Sequence, residues 1–483
     1  MRPGAARPGQ PPRPPFALLD ELACYHHAPA EPNNVHIEAL VPGHLDARAL
    51  RQAVTGAIAA APRASGRMAA GGALRCRYRW EFPAVLDVDP ISRATWSDED
   101  ELAGIRNRFL ADVPSLRTSP PVRLLLATGP GESCVILNAH HAALDGMSSL
   151  GLLRDIAARY QAITGTPGPA SDSPAPSASA PPAPSASAPP AERPARLPAE
   201  QAPADRGLRR SRTRALRRYP SARIAPDRER RGRRGGNGVR LLLLPAVPKP
   251  PSGATVTDVL VAALIATVAI WNAAHRRAPR VIAISVPASV HGPGLPAVAG
   301  NWTRTVTVAV GPETAAGQPS ALLAEVSRQL TAIRQARPQE TSAGVLDAMP
   351  GWCPVVLKRL ALRGALRTVG PVVCDTTMLS NLGNVTGPLW PGRGGPVRMA
   401  FSAPAHMPRG LAVSVVTAEG QLQVAFRYLH ALLDDAAADR LMEIFAAALD
   451  EFTDVEGDAH GLARRATGDP RLPGRQGRPA VPR

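Results

Sequence analysis

The sequence predicts an α/β protein built of two lobes, and three observations carry that expectation. Its 483 residues exceed what one compact core holds and suffice for two, because cores stop growing near roughly 250–300 residues. Strand-like and helix-like periodicities alternate in both halves, as layered α/β folds require. Between the halves, from Thr164 to Ala204, the chain is almost wholly Pro, Ala, Ser and Gly. That stretch includes a tandem octapeptide at 174–181 and 182–189. It has too little apolar surface to bury and is expected to be extended and disordered. An Arg-rich run continues it to Gly238. The expected organisation is a disordered N-terminus at 1–15, a first lobe at 16–163, a disordered linker at 164–238, a second lobe at 239–455 and a disordered tail at 456–483.

The first lobe opens with Phe16-Ala-Leu-Leu-Asp-Glu-Leu22. Val35, Ile37, Ala39 and Val41 then alternate with His36, Glu38 and Leu40, the period-two pattern of a strand. After the Gly43-His44 turn, Asp46 can cap a helix whose apolar face is Ala49, Leu50, Ala53, Val54, Ala57 and Ile58. Val122 to Thr128 and Ser133 to Ala139 read as a hairpin across Gly129-Pro-Gly-Glu132. Its second strand runs directly into His140 and His141, and a helix begins near Met147.

In the second lobe a strand at Val239 to Leu244 precedes a helix from Val256 to Ala273, with Thr255 or Thr257 available as its cap. Val281 to Val286 is a short apolar strand that Pro287 should end. Trp302 to Val310 alternates, Ala321 to Arg334 has helical spacing, and Met378 to Leu382 and Leu411 to Thr417 read as strands. Gln421 to Tyr428 pairs with the last of these across Ala418-Glu-Gly420. A final helix from Asp434 or Asp435 buries Leu441, Phe445, Leu449 and Phe452.

Net charge is +17, and its placement excludes more than its size. Residues 206–234 carry +11, while 1–15 and 456–483 carry +3 each, so the predicted lobes are close to neutral. A nucleic-acid-binding domain keeps its basic patch on a folded face, and no nucleic-acid partner is expected here. Five scattered cysteines with no C-x-x-C pair give neither a zinc site nor a disulfide framework. Pro and Arg interrupt the first fifteen residues, and the longest apolar run, Val259 to Trp271, is about half a membrane span. A soluble, cytoplasmic monomer is expected.

The chemistry concentrates in Asn138-Ala-His140-His141-Ala-Ala-Leu-Asp145-Gly146-Met-Ser-Ser149, which contains H-H-x-x-x-D-G. Adjacent histidines point to opposite sides of a strand and make a poor chelating pair, so no metal is expected. The motif resembles the acyltransferase superfamily of chloramphenicol acetyltransferase, nonribosomal peptide condensation domains, polyketide-associated acyltransferases and wax ester synthases. The resemblance implies two chloramphenicol acetyltransferase-like lobes forming a pseudo-dimer with an active-site channel between them. It also implies His141 as general base, Asp145 as a structural brace, and His140 and Gly146 as supports of the loop. An imidazole suits the task, because a pKa near roughly 6.5 leaves much of it neutral and basic near pH 7.

Four distant segments agree with that resemblance. Gly43-His-Leu45-Asp46-Ala-Arg-Ala-Leu50 is similar to the family's strand-to-helix step, and Ala254-Thr-Val-Thr-Asp258 to the start of the second lobe's long helix. Gly300-Asn301-Trp302 is similar to a G-N-[FYW] element, and Leu379-Ser380-Asn381-Leu382-Gly383 to the S-N-x-G strand beside the channel. Asn301, Trp302, Ser380 and Asn381 are therefore candidates for channel lining or oxyanion contact. Trp302 fits the core somewhat better than the channel, and the Ser380–Asn381 pair could equally satisfy backbone groups. Many relatives carry an Arg just after the strand at 281–287, where this chain has His291. The plant-type D-F-G-W-G element is absent.

The sequence reads as an acyltransferase moving an acyl group from a thioester to an alcohol or amine, with no bound cofactor. The donor is acyl-coenzyme A or a phosphopantetheinyl carrier protein. One alternative is a condensation-type enzyme forming amides from carrier-bound substrates. Another is a non-catalytic module that binds carrier proteins.

Overall fold

The computed structural model describes residues 13–26, 30–72, 74–165, 220–227, 235–289, 301, 303–335, 351–385, 390 and 397–453. Two sheets organise them, one of five strands and one of six, with a two-stranded ribbon beside the first.

In the first lobe α1 (Leu18–His26) starts with Asp20 accepting from the Ala17 amide. Strand β1 (Asn34–Pro42) leads into α2 (Ala47–Ala60), whose N-cap Asp46 accepts from the Ala49 amide at 2.6 Å. All six residues expected on the α2 apolar face are buried. A one-turn α3 (Pro62–Ser65), the ribbon β2 (Arg67–Met68) and β3 (Trp80–Glu81), and β4 (Ile91–Thr95) follow. Next come α4 (Glu99–Ala111), the hairpin β5 (Val122–Gly129) and β6 (Glu132–His140), and α5 (Gly146–Thr164). Hairpin pairing runs from Val122↔Ala139 to Gly129↔Glu132, the register that the turn predicts.

The second lobe comprises β7 (Asn237–Leu244), α6 (Val256–Ala274), β8 (Ile282–Ser289), β9 (Thr303–Val310), α7 (Pro312–Ala315) and α8 (Pro319–Gln335). After them come α9 (Val355–Thr368), α10 (Gly370–Val373), β10 (Thr377–Val385), β11 (Arg398–Ser402), β12 (Leu411–Ala418), β13 (Gln421–Leu429) and α11 (Asp435–Thr453). Thr255 and Asp258 form a reciprocal capping box at the start of α6. By length and a hydropathy of 1.8, α6 could cross a membrane. It instead packs against α8, α11 and β8, and the burial of Val259 to Ile265 explains the apolar run.

Four expectations need correction. The lobes are not consecutive in sequence, because β11 leaves the second half and pairs with β1, giving a first sheet ordered β11-β1-β6-β5-β4. The expected linker contains a packed piece: Ala222, Ile224 and Ala225 of 220–227 lie in the second core, and β7 already begins at Asn237. Arg223 draws that piece inward by donating to the Asp375 carbonyl at 3.0 Å. Residues 13–15 are tied down as well, since Trp80 donates its amide to the Pro14 carbonyl at 2.8 Å. Finally, β8 continues through Pro287. The strand pairs β10 only at Ile284 and Ser285, so beyond them one edge is open and a missing N–H costs little. The tail at 456–483, His291 and the remainder of the linker apart from residues 164, 165 and 235–238 lie outside the described residues.

Candidate active site

His140 is the last residue of β6, paired with Asn34 of β1, and is 4% exposed. Its Nδ1 accepts from the Ala142 amide at 3.0 Å, so the ring folds back onto the loop it precedes. His141 begins the turn and is half-buried. Asp145 is the N-cap of α5, accepting from the Ser148 amide at 2.8 Å, and this fixes where the turn ends. Gly146 follows where space is tight: a Cβ there would lie 2.9 Å from Leu382 Cδ2 and 3.0 Å from Phe401 Cζ, so those side chains would have to shift. Those neighbours belong to β10 and β11, so the loop is clamped between the halves of the chain.

His141 Nδ1 lies 3.2 Å from Asn301 Oδ1. Asn301 Nδ2 donates to Asp20 Oδ1 at 2.9 Å and to the Ala142 carbonyl at 3.3 Å. Both of those groups are acceptors, which fixes the amide's orientation and leaves its oxygen facing the imidazole. The facing Nδ1 must then carry the hydrogen. Among the described residues Nε2 has no hydrogen-bond partner, so its lone pair remains available to take a proton. Asp20 is fully buried and is itself held by Arg63 at 2.5 Å and by the Trp80 indole at 3.4 Å. The result is an ordered line, Arg63 to Asp20 to Asn301 to His141, that joins α1, α3 and the segment before β9.

Two further imidazoles, absent from the sequence reading, stand beside this one. His26 and His406 stack with ring centroids 5.4 Å apart, and His406 Nε2 lies 3.2 Å from Asn33 Oδ1. Burial, with the charges of His406 and Arg409 and that of His141, lowers His26 to about 3. Burial likewise lowers His406, against the opposing pull of Glu31. Both rings are therefore neutral near pH 7. No motif marks them, since they gain meaning only where α1 and the loop after β11 meet.

Asn381 is committed elsewhere. Its Nδ2 donates to Thr257 Oγ1 at 3.1 Å, and its Oδ1 accepts from the Gly383 amide at 2.7 Å. The amide thus stabilises the bulge that β10 makes between Asn381 and Asn384, where Gly383 takes φ 78°. This is the backbone-satisfying alternative, and it engages the amide oxygen and one of the two Nδ2 hydrogens. Ser380 is half-buried on β10, opposite Ser414 of β12. Trp302 lies outside the described residues. Among those residues, no group of three or more His, Cys, Asp or Glu side chains is placed to hold a metal.

No family model matches the chain. Two proteins of Mycobacterium tuberculosis, the Uncharacterized proteins Rv2305 and MT2362, are each 28% identical over 435 residues, covering 85% of this chain and 93% of theirs. Solved structures share the architecture almost end to end. The first condensation domain of the CDA synthetase matches with TM-score 0.57 at 17% identity, over 92% of this chain and 96% of that one. The epimerization domain of tyrocidine synthetase B, TycB3(E), matches with TM-score 0.54 at 12% identity, over 94% and 99%. The starter condensation domain of rhizomide synthetase RzmA, in a variant form bound to C8-CoA and Leu-SNAC, matches with TM-score 0.57 at 13% identity, over 92% and 97%.

The chain has the condensation-domain fold.

In this condensation fold the two sheets are locked by buried charge. Arg427 of β13 is fully buried and donates to the Asn34 carbonyl at 2.8 Å and to the Asn34 side chain. Burial lowers its pKa to about 9. Beside it, Arg106 of α4 grips Glu38 of β1 through two bonds of 2.6 and 2.8 Å. His36 bridges Glu38 and Ser402 of β11, at 3.0 Å each. Burial alone would raise Glu38, but the Arg106 charge and the bonds from His36 and Arg106 hold it at about 2. These contacts pin β11 and β13 against β1, and β6 with its histidine loop is the next strand.

Proposed function

We propose that this protein transfers an acyl group from a thioester to an amine or alcohol, with His141 as the general base. The observation that carries the reading is the hydrogen bond from His141 Nδ1 to Asn301 Oδ1, because it presets the tautomer whose Nε2 can accept a proton. As the acceptor's nitrogen or oxygen attacks the thioester carbonyl, Nε2 takes its proton. The tetrahedral intermediate then collapses, the C–S bond breaks, and the proton passes to the departing thiolate. Asp145 acts by ending the loop rather than by relaying charge. The Ser380 hydroxyl and the second Nδ2 hydrogen of Asn381 are the candidate donors to the developing oxyanion.

The donor is a thioester on coenzyme A or on a carrier protein's phosphopantetheine arm. The RzmA domain of the same fold, solved with C8-CoA and Leu-SNAC, supports a thioester substrate. The condensation domains among the neighbours favour an amine acceptor. A panel of acyl-coenzyme A and carrier-loaded donors, mixed with amines and alcohols and read by mass spectrometry, tests the reading. The wild-type protein should form product, and His141→Ala should lower its rate about 10²- to 10⁴-fold. Undiminished product from His141→Ala would overturn the assignment.

A further inference from the structure

The segment 351–374 presents an unpartnered face remote in sequence from the histidine loop. Its helix α9 turns Val355, Lys358 and Leu362 inward, packing on α1. Val356, Leu357 and Leu360 project from the opposite side, Leu360 being 61% exposed. Trp352 just before the helix is 77% exposed, and Val372 and Val373 of α10 extend the surface. A loop of the first half completes it. Cys76 reaches the Trp352 carbonyl, Val355 donates its amide to the Arg75 carbonyl at 2.9 Å, and this sets Leu74, 80% exposed, beside Trp352.

Cations are interleaved with this apolar surface. Residues 351–374 hold Arg359, Arg363 and Arg367 at least partly exposed and no carboxylate, Lys358 being turned inward to donate to the Cys76 carbonyl at 2.9 Å, while 70–79 hold Arg75, Arg77 and Arg79 and no carboxylate. The arginines of α9 feel one another: burial and then the charges of Arg359 and Arg367 lower Arg363, opposed by Glu31. Clusters of large exposed apolar side chains mark interaction surfaces on soluble proteins. A helix that mixes exposed Trp and Leu with Arg matches a bilayer interface, which accepts apolar side chains among the acyl chains and guanidinium groups among the phosphates.

We propose that this face, built from α9, α10 and the loop carrying Leu74, docks the protein on an anionic lipid bilayer. The excess of cation over carboxylate selects the anionic headgroup, and the exposed Trp352, Leu357 and Leu360 supply insertion that charge alone does not. Because α9 packs on α1, which bears Asp20 and His26, the docked face would back directly onto the active-site wall.

Co-sedimentation of the full chain with phosphatidylglycerol/phosphatidylcholine vesicles, against phosphatidylcholine alone, tests this. Binding should require the anionic lipid. The variant Trp352→Ser/Leu357→Ser/Leu360→Ser, shown by circular dichroism to be folded, should bind at least about ten-fold more weakly. A second reading uses brominated lipid in the vesicles, which should quench the wild-type tryptophan emission more than that of Trp352→Phe. Equal vesicle binding by the triple variant would overturn the proposal, since attraction by the arginines of 206–234 would then suffice. So would a dimer of the wild-type chain that the triple variant abolishes, or protection of α9 from hydrogen exchange by an acidic carrier protein but not by vesicles.

Discussion

Asn301 holds a carboxylate on one side and an imidazole on the other, and its value lies in that polarity. Asp20, buried and tied to Arg63, can only accept a hydrogen from the amide, so the amide can only accept one from His141. The bond from the neutral imidazole to the neutral amide contributes about 0.5–1.5 kcal/mol net, enough to favour one ring orientation and tautomer several-fold. Asn301→Ala should therefore lower kcat about ten- to hundred-fold while leaving KM nearly unchanged, because the ring loses its orientation and not its substrate. Steady-state kinetics on whichever substrate pair gives product measures the split. A change confined to KM would instead place Asn301 in binding.

Helix α5 begins where β10 and β11 press against it. A methyl at Gly146 would meet Leu382 and Phe401 at 2.9 and 3.0 Å, closer than side chains normally approach. Gly146→Ala should destabilise the protein by about 1–3 kcal/mol, the usual cost of overpacking. Leu382→Ala in the same background should recover part of that loss, since the two sites share one contact. Chemical denaturation of the four proteins of this cycle gives the coupling, and strict additivity would show that the strain is relieved elsewhere. The requirement that the motif's glycine be small thus arises between elements, from strands supplied by the other half of the chain.

Taken whole, the molecule holds three histidines neutral, His36 fully buried and His26 and His406 partly so. The unfolded chain protonates His26 near pH 6.5 and the folded one only near about 3, while His36 and His406 are shifted the same way. A folded pKa below the unfolded value contributes stability that is present above pH 6.5 and drains away as pH falls toward 3. Each such histidine steepens the loss by up to about 1.4 kcal/mol per pH unit. Glu38, held at about 2, adds to it only below the unfolded carboxyl value of roughly 4.3. Urea midpoints should stay level above pH 6.5 and fall increasingly below it, with a shallower fall for His26→Gln. Midpoints unchanged down to pH 5 would contradict the neutral state of these rings.

Local rules determined much of this protein from its sequence alone. Asp46 and Thr255 cap their helices, the 129–132 turn sets the hairpin register, and H-H-x-x-x-D-G places its histidines at a strand end. Each depends on groups a few residues apart, which hydrogen-bonding geometry and periodicity fix without knowledge of the rest. The tertiary structure decided what spans the chain. His141 meets Asn301 across 160 residues, Asn301 meets Asp20 across 281, and β11 crosses to the sheet of the other lobe. His26 and His406 become neighbours of the site, and Asn381 bonds to Thr257, only through such contacts. Their energy comes from packing and from pairing buried polar groups between distant segments, and no spacing in the sequence encodes which segments those will be.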